Sequence, residues 1–307
     1  MSGMAGFQTT AIKSIGKVAT FDCDGPASIN NNFTGAGSIG FPVAVMIAST
    51  WNKDIAYEFG EKIGEMANEM NVNGWYAPAM NTHRTLFGGR NFEYYSEDGV
   101  LAGNIASNAV AGAKSHGVYA YIKHFAMYDS NAMMVSIWSN EQAMREIYFK
   151  PFELAVKQGG ANAVMEAWWY IGNRWAGSCS ELLQTVLRDE WGFKGFVLTD
   201  NFANSGWGYM NADIAFNNGV DALLTTYDSG LNRMQDLSAA SNVAVLRNAS
   251  KHILYTVVNS SAYDSENLKV EMESWKIALI AFDVILVLLM AVLELLVVRK
   301  GYMKRKN

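Results

Sequence analysis

Short apolar runs alternate with longer amphipathic segments over residues 1–260, and this alternation predicts an α/β fold. The short runs are almost continuously apolar, which is typical of a parallel sheet covered by helices on both faces. A separate 22-residue apolar run follows at Ile277–Val298. Together these observations predict a TIM-like (β/α)8 barrel followed by a single transmembrane helix.

The individual elements follow from the same two patterns. The predicted strands are Lys17–Phe21, Val43–Ala48, Gly74–Ala77, Val118–Lys123, Ala161–Ala167, Gly195–Thr199 and Asp221–Thr225. The predicted helices are Lys53–Met70, Gly99–Lys114, Glu141–Gln158, Glu181–Trp191, Asn211–Asn218 and Ala239–Asn259. Ile55, Phe59 and Ile63 illustrate the helical pattern, because residues four positions apart share one face of a helix.

Two architectures suit a run of β–α units, a doubly wound open sheet and a closed barrel. The number of units, about seven or eight, favours the barrel, which has eight. No Gly-x-Gly-x-x-Gly motif directly follows a predicted strand, so a dinucleotide-binding fold has less support. We therefore expect residues 1–260 to form one barrel domain.

The C-terminal part divides into three predicted segments. Residues 261–276 read as a polar stalk, residues 277–298 as the transmembrane helix, and residues 299–307 as a basic tail. The basic residues favour a cytoplasmic tail and a barrel on the extracellular face. Asp283 and Glu294 interrupt the apolar run, and an Asp at a helix centre costs about 2.5–3.5 kcal/mol in lipid. A soluble amphipathic helix is the alternative, which the all-round apolar character disfavours.

Composition excludes some classes of protein and function. The net charge is −5, and no basic stripe suggests binding to nucleic acid. Cys23 and Cys179 are isolated, and the four histidines are scattered, so we expect no metal site and no cofactor. The N-terminus has neither the charged nor the apolar region of a signal peptide.

Several predicted strands end in, or run into, charged groups. These groups are Asp22, Asp24, Arg84, Arg90, Lys123, His124 and Asp200. In a barrel the carboxyl ends of the strands meet at one mouth, where function gathers. Two or more carboxylates with cations and a histidine suit carbohydrate chemistry, because carboxylates bind hydroxyls and can attack an anomeric carbon. Each residue alone has a simpler reading, such as a helix cap for Asp200.

The same stretches resemble glycoside hydrolase family 3, over about residues 5–260. The motifs that carry the resemblance are "DCDGPA" (22–27), "GRNFEYYSEDGVLAG" (89–103), "KHFA" (123–126), "NEQAMREIYFKPFELAVKQGGANAVM" (140–165) and "LLQTVLRDEWGFKGFVLTD" (182–200). The resemblance implies a (β/α)8-like barrel and a retaining β-glucosidase or β-xylosidase that acts on short β-linked saccharides through a covalent glycosyl-enzyme intermediate.

The resemblance also implies roles for single residues. Asp200 matches the position of the nucleophile. The positions that bind the sugar are matched by Asp24, Arg90, Lys123, His124 and Met165. Three stretches depart from the family pattern: residues 129–134 after "KHFA", Asn201 after the nucleophile, and residues 167–169 where the family has Ser-Tyr-Asn. The walls of the pocket are therefore expected to differ.

No general acid is identified. A retaining glycosidase needs a second carboxyl roughly 5–5.5 Å from the nucleophile. Glu166 is the nearest candidate within the barrel, but its alternation with Met165 predicts that it faces the other way. In the family this group usually belongs to a second domain, which predicts that the chain is the C-terminal part of a longer enzyme. A non-catalytic, membrane-tethered carbohydrate-binding barrel and an incomplete gene product remain as alternatives.

Overall fold

The computed structural model describes residues 8–30, 37–128, 135–201, 209–225, 233–264 and 274–305. The chain divides into two compact units after Asp264. The first of these units ends at Asp264. The short 3₁₀ helix Ser261–Tyr263 belongs to it, and the backbone N–H of Ser261 donates to the carbonyl of Gly117.

The first unit is built on one six-stranded sheet. Its strands are β1 (Gln8–Thr9), β2 (Thr20–Asp24), β3 (Gly74–Tyr76), β4 (Tyr119–Phe125), β6 (Ala163–Glu166) and β9 (Phe196–Leu198). The order is β1-β2-β3-β4-β6-β9, in which β1 is antiparallel to β2 and the other neighbours are parallel. A parallel bridge from Leu198 to Ala222 continues the sheet. A smaller sheet contains β5 (Ser136–Ile137), β7 (Tyr170–Ile171) and β8 (Arg174–Trp175).

The main sheet curls around an interior cluster of apolar side chains. Its members are Tyr76, Tyr119, Tyr121, Ala163, Met165, Phe196, Leu198 and Leu224. These residues alternate along each strand with residues of a larger outer core, as expected where both faces of a sheet are covered. Within the described residues the ladder does not close into a ring, so the eight-stranded barrel stays a prediction.

Helices cover the outer face of the sheet. The α-helices of the first unit are α1 (Ala44–Ser49), α2 (Lys53–Glu69), α3 (Gly99–Ser115), α4 (Glu141–Ala143), α5 (Lys150–Lys157), α6 (Ala212–Asn217) and α7 (Ala240–Val258). Two π-helical segments, Met144–Tyr148 and Glu181–Glu190, also belong to the first unit. The helices α2 and α3 pack so closely that only a glycine fits at position 60, where a Cβ would lie 2.1 Å from the carbonyl oxygen of Ala109.

The prediction of a strand at Val43–Ala48 is wrong, because these residues lie mostly in helix α1. Ala44, Ile47 and Ala48 are buried, and their spacing places them on one face of the helix. A short apolar run does not distinguish a buried strand from a buried helical turn, so the sequence pattern was ambiguous here.

A buried ionic network ties β9 to the helices. The Arg188 guanidinium donates to Asp221 at 2.5 Å and to the carbonyl of Gly195 at 2.9 Å. Asp221 also accepts from the backbone N–H of Val197 at 2.8 Å, and its other oxygen lies 2.8 Å from Nδ1 of His252. The side chains of Arg188 and Asp221 are 8% and 4% exposed. Because the network fixes the start of β9, it supports the strand that leads to Asp200.

The second unit contains one long helix, α8 (Ser274–Arg305). Its stretch Ile277–Lys300 is long and apolar enough to cross a membrane, and none of its described side chains is buried.

We expect Asp221→Asn to lower the free energy of unfolding by about 3 kcal/mol, because it leaves Arg188 buried without a countercharge. Chemical denaturation followed by circular dichroism measures the change. The matched control is Glu65→Gln, which breaks the exposed pair of Lys62 and Glu65 and is expected to leave stability unchanged. Equal stability of Asp221→Asn and the wild type would contradict a stabilising role of the network.

Candidate active site

The candidate site lies at the carboxyl edge of the main sheet. Asp24 ends β2, Lys123 and His124 lie near the end of β4, and Asp200 follows β9 by two residues. Arg90 comes from the loop between β3 and α3. Because neighbouring parallel strands end at the same edge, the four strand-end side chains lie together there. The loop brings Arg90 to them, where its charge acts on both Asp24 and Asp200.

Asp24 and Lys123 form an ion pair across the edge. Lys123 Nζ donates to Asp24 Oδ1 at 2.8 Å, and the same oxygen accepts from the backbone N–H of Gly25 at 2.8 Å. Lys123 is 4% exposed, whereas Asp24 is 36% exposed. Burial raises the pKa of Asp24, but Lys123, the Gly25 N–H and Arg90 outweigh it and hold that pKa below its ordinary value. Asp24 is therefore an ionised hydrogen-bond acceptor at the opening.

A register shift in β4 explains how two consecutive residues reach the same site. Ile122 pairs with Val164 and Phe125 pairs with Glu166, so Lys123 and His124 together lie opposite the single residue Met165. Without the extra residue, strand alternation would turn one of them away. Asn81 holds the irregular segment from the loop after β3. Its side chain accepts from the His124 N–H at 2.8 Å and donates to the His124 carbonyl at 2.9 Å.

His124 lies between two tyrosines and Asp200. Its Nδ1 is 3.2 Å from the Tyr94 hydroxyl, and its ring lies 4.8 Å from that of Tyr128. Its Nε2 lies 3.6 Å from Asp200 Oδ2, which is too long for a hydrogen bond. Burial, with the charges of Arg90 and Lys123, holds the pKa of His124 well below its usual range. The imidazole is therefore neutral at neutral pH.

Arg90 is held by an acid and by two aromatic rings. Its Nε donates to Glu93 Oε1 in a short ion pair. Its guanidinium lies 5.0 Å from the ring centre of Tyr128 and 5.9 Å from that of Tyr94, within the range of cation–π attraction. Arg90 is therefore oriented before any ligand arrives, while its charge acts on both Asp24 and Asp200.

Asp200 presents one oxygen, Oδ2, to the imidazole of His124. Its Oδ1 accepts from the N–H of Asn201 at 2.6 Å, whereas its Oδ2 has no hydrogen-bond partner within the described part of the chain. The side chain is 10% exposed. Burial raises the pKa of Asp200 to about 6, although the Asn201 N–H, Lys123 and Arg90 act in the opposite direction. At neutral pH Asp200 is therefore mostly ionised and has an oxygen available to attack.

The remaining sequence candidates are Met165, Asp22 and Arg84. Met165 is 2% exposed and belongs to the interior cluster below the mouth. Asp22 lies inside the curled sheet rather than at the mouth. It accepts from the hydroxyls of Tyr119 at 2.5 Å and Tyr121 at 2.6 Å, and burial raises its pKa to about 6. The guanidinium of Arg84 lies over the ring of Tyr148 at 5.0 Å.

Sequence reasoning missed several residues that shape the site. Asn81, Glu93 and Tyr94 lie in the loop between β3 and α3 rather than at the end of a strand, so strand-end reasoning did not select them. Glu93 and Tyr94 stand within the motif that includes Arg90, and this proximity was the available signal. The altered segment 129–134 lies outside the described residues. In the described ranges no group of three His, Cys, Asp or Glu side chains could hold a metal ion.

Residues 21–254 match the family model described as the glycosyl hydrolase family 3 N terminal domain. The chain belongs to glycosyl hydrolase family 3. Beta-glucosidase A of Butyrivibrio fibrisolvens is 41% identical over 190 residues, which cover 61% of this chain and 22% of that protein. A beta-glucosidase of Rhizobium radiobacter is 36% identical over 213 residues, or 66% of this chain and 26% of that protein.

Solved structures of the family agree with the fold. Beta-glucosidase 3B from Thermotoga neapolitana in complex with glucose superposes with a TM-score of 0.76 at 34% identity, covering 90% of this chain and 40% of that chain. The chain spans about a quarter of the length of the curated family 3 relatives.

Replacing Lys123 by Met removes a cation that lowers the pKa of both Asp24 and Asp200, so we expect both carboxyls to titrate at higher pH than in the wild type. Carbon NMR of selectively labelled aspartate carboxyls measures the titrations, and Asp200→Asn assigns the signal of Asp200. In the wild type this signal is expected to titrate near pH 6. Lys62→Met, which removes an exposed lysine, is the control and should change neither titration. An unaltered Asp200 titration in Lys123→Met would refute the electrostatic coupling.

Proposed function

We propose that the first unit is the nucleophile-bearing domain of a retaining β-glycosidase that acts on short β-linked glucosides or xylosides. The observation that carries the proposal is the free Oδ2 of Asp200, which faces His124 beside the Asp24–Lys123 pair. Membership of glycosyl hydrolase family 3 and the beta-glucosidase relatives support the choice of reaction.

In the proposed first step, Asp200 Oδ2 attacks the anomeric carbon of the sugar. A new carbon–oxygen bond forms between enzyme and sugar, and the glycosidic bond breaks as the leaving oxygen takes a proton from a general acid. Water then attacks the same carbon and gives its proton to the conjugate base of the general acid, while the bond between the sugar and Asp200 breaks, so that Asp200 returns as a carboxylate. The buried position of Asp200 keeps its oxygen weakly solvated, which favours attack.

The neighbouring groups are proposed to hold the sugar ring. Asp24 can accept hydrogen bonds from hydroxyls, while Lys123, Arg90 and neutral His124 can donate to them. Because Lys123 is paired with Asp24 and Arg90 with Glu93, their side chains have little freedom left to lose on binding. Met165, a member of the interior cluster below the mouth, would contribute an apolar contact to the sugar ring.

The general acid is proposed to come from outside the described part of the first unit. The described carboxyls closest to Asp200 in the site have other roles: Asp24 pairs with Lys123, Glu93 pairs with Arg90, and Glu166 is fully buried. A domain of a longer protein could supply this acid, as the relatives are about four times longer than the matched region. Substrates whose leaving groups need no proton would bypass this requirement.

A fluorinated activated glycoside tests the nucleophile. We expect 2,4-dinitrophenyl 2-deoxy-2-fluoro-β-glucoside to label the full chain once, on the peptide that contains Asp200, as found by mass spectrometry. The rate should fall about tenfold per pH unit below pH 6, because protonation of Asp200 removes the nucleophile. Asp200→Asn should abolish labelling, whereas Asp189→Asn, at a described carboxyl on the outer π-helical segment, should not.

Two outcomes would refute the proposal. One is labelling at another residue, and the other is equal labelling of Asp200→Asn and the wild type. If glucose binds, as measured by calorimetry, but no label forms, the chain is a carbohydrate-binding module instead.

The absence of the general acid is tested with two leaving groups. Dinitrophenyl glucosides, whose leaving group needs no proton, should react with the chain alone, while methyl glucoside should not.

We also propose that α8 anchors the first unit to a membrane, with the unit on the extracellular face and the basic tail in the cytoplasm. The apolar stretch Ile277–Lys300 and the basic residues after it support this arrangement.

Lysines in the middle of the apolar stretch test the anchor. Leu286→Lys with Leu289→Lys should release the chain from membranes, because each lysine costs about 2.5–3.5 kcal/mol near the helix centre. Alkaline extraction of membranes measures retention. Leu237→Lys, at an exposed leucine of the first unit, is the control and should stay with the membrane. A wild-type chain that is extracted completely would exclude an integral anchor.

A further inference from the structure

Glu166 ends strand β6 directly beside the nucleophile's strand. The residue before it, Met165, pairs with Leu198 of β9, two residues ahead of Asp200. Met165 belongs to the interior cluster, so strand alternation turns Glu166 to the opposite side of the sheet, as its spacing from Met165 predicted. The side chain of Glu166 is 0% exposed. Glu166 therefore lies behind the sugar-binding face rather than in it.

The surroundings of Glu166 are unusual for a carboxyl group. It lies against the backbone N–H groups of Asp200 and Gly177 and against the indole of Trp175. Among the described residues, neither of its oxygens has a hydrogen-bond partner of normal geometry. The titratable groups nearest to it are Asp200, whose charge acts on Glu166, and Tyr209. Across the described ranges, no lysine, arginine or histidine forms an ion pair with it.

A carboxylate in this position would be very unfavourable. An isolated buried charge without a countercharge costs many kcal/mol, so such a group takes up a proton instead. Burial, followed by the nearby charge of Asp200, accordingly raises the pKa of Glu166 well above its ordinary value, although the N–H groups of Asp200, Trp175 and Gly177 act in the opposite direction. Asp200 has Lys123 and Arg90 to favour its charge, and Glu166 has neither. Of the two neighbouring carboxyls, Asp200 ionises first.

We propose that Glu166 is a positioning residue, which retains its proton and supports the backbone of Asp200 from behind the sheet. This inference rests on the proposed function of Asp200 as the nucleophile. The uncharged carboxyl fills the space behind Asp200 without adding a second negative charge. Ionisation of Glu166 would make the charge on Asp200 less favourable and would reduce the fraction of active nucleophile at neutral pH.

The protonation state can be tested without any turnover. Glu166→Gln replaces the carboxyl with an uncharged amide of the same shape. If Glu166 is protonated only in the folded state, the folding equilibrium constant of the wild-type chain should fall, relative to that of Glu166→Gln, by up to tenfold for each unit of rising pH. The fall begins above the pKa of unfolded Glu, about 4.3, and ends at the folded pKa. Denaturation of the full chain in detergent at pH 5–9 measures it, and parallel pH curves would overturn the proposed protonation.

The positioning role is tested with the fluorinated glucoside. Glu166→Ala should lower the saturated labelling rate about tenfold, with a smaller change in the half-saturating concentration. Glu166→Gln should label within about threefold of the wild type and with the same acid limb. The matched control is Val164→Ala, at a fully buried residue of the same strand and face. It should lose stability but label within about twofold of the wild-type rate.

The outcomes separate the two proposals. Labelling of Glu166→Ala at the wild-type rate would overturn the positioning role, and so would equal losses in Val164→Ala and Glu166→Ala. An acid limb that moves down by a pH unit in Glu166→Gln would show that Glu166 is ionised in the wild type. A wild-type chain that is never labelled would refute the nucleophile and the positioning role together. The denaturation experiment would still decide the charge of Glu166 in that case.

Discussion

Asp200 has an oxygen that no described residue hydrogen-bonds, although its side chain is nine-tenths buried and two cations act on it. This is possible because the cations are paired elsewhere, Lys123 with Asp24 and Arg90 with Glu93. If either cation were unpaired, it would be drawn to Asp200 and would cover the oxygen that the proposed chemistry needs. The two ion pairs are therefore as important to the site as Asp200 itself.

The geometry of the site depends on features that are distant in the chain. Lys123 and His124 face one site only because β4 contains one residue more than its partner β6 at that point. Asn81 binds both backbone groups of His124, and it comes from the loop that follows β3. The start of β9 is held by Asp221, which bonds the backbone of Val197 and pairs with Arg188. The network of Arg188 and Asp221 thus fixes the position of β9, and the bulge in β4 fixes Lys123 and His124 beside Asp200.

Much of the site could be predicted from sequence, because polar residues at the ends of apolar strands are an unusual local pattern. Asp24, Lys123, His124 and Asp200 follow from that pattern, and the structure brings them together with Arg90. Asp22 matched the same pattern but lies one layer deeper, because only the tertiary fold supplies the two tyrosine hydroxyls that satisfy it.

Other features could not be predicted for physical reasons. The run at Val43–Ala48 is too short for its period to separate a strand from the helix α1. The bulge in β4 adds one residue and leaves no compositional trace. The loop that contains Arg84 and Arg90 has no regular repeat, so the direction of each side chain depends on contacts with Tyr148, Tyr128 and Glu93.

The balance of charge at the site favours the reaction proposed for it. Two ion pairs cancel, His124 is neutral, and Glu166 is held uncharged by burial, so ionised Asp200 leaves the site with one net negative charge. A glycoside is neutral when it binds, but the carbon under attack gains positive charge in the oxocarbenium-like transition state. A fixed negative charge beside that carbon stabilises the transition state more than the bound substrate, which is the condition for faster chemistry. A second ionised carboxyl behind Asp200 would strengthen the field but would also raise the pKa of the nucleophile, so a protonated Glu166 keeps the charge on the group that attacks.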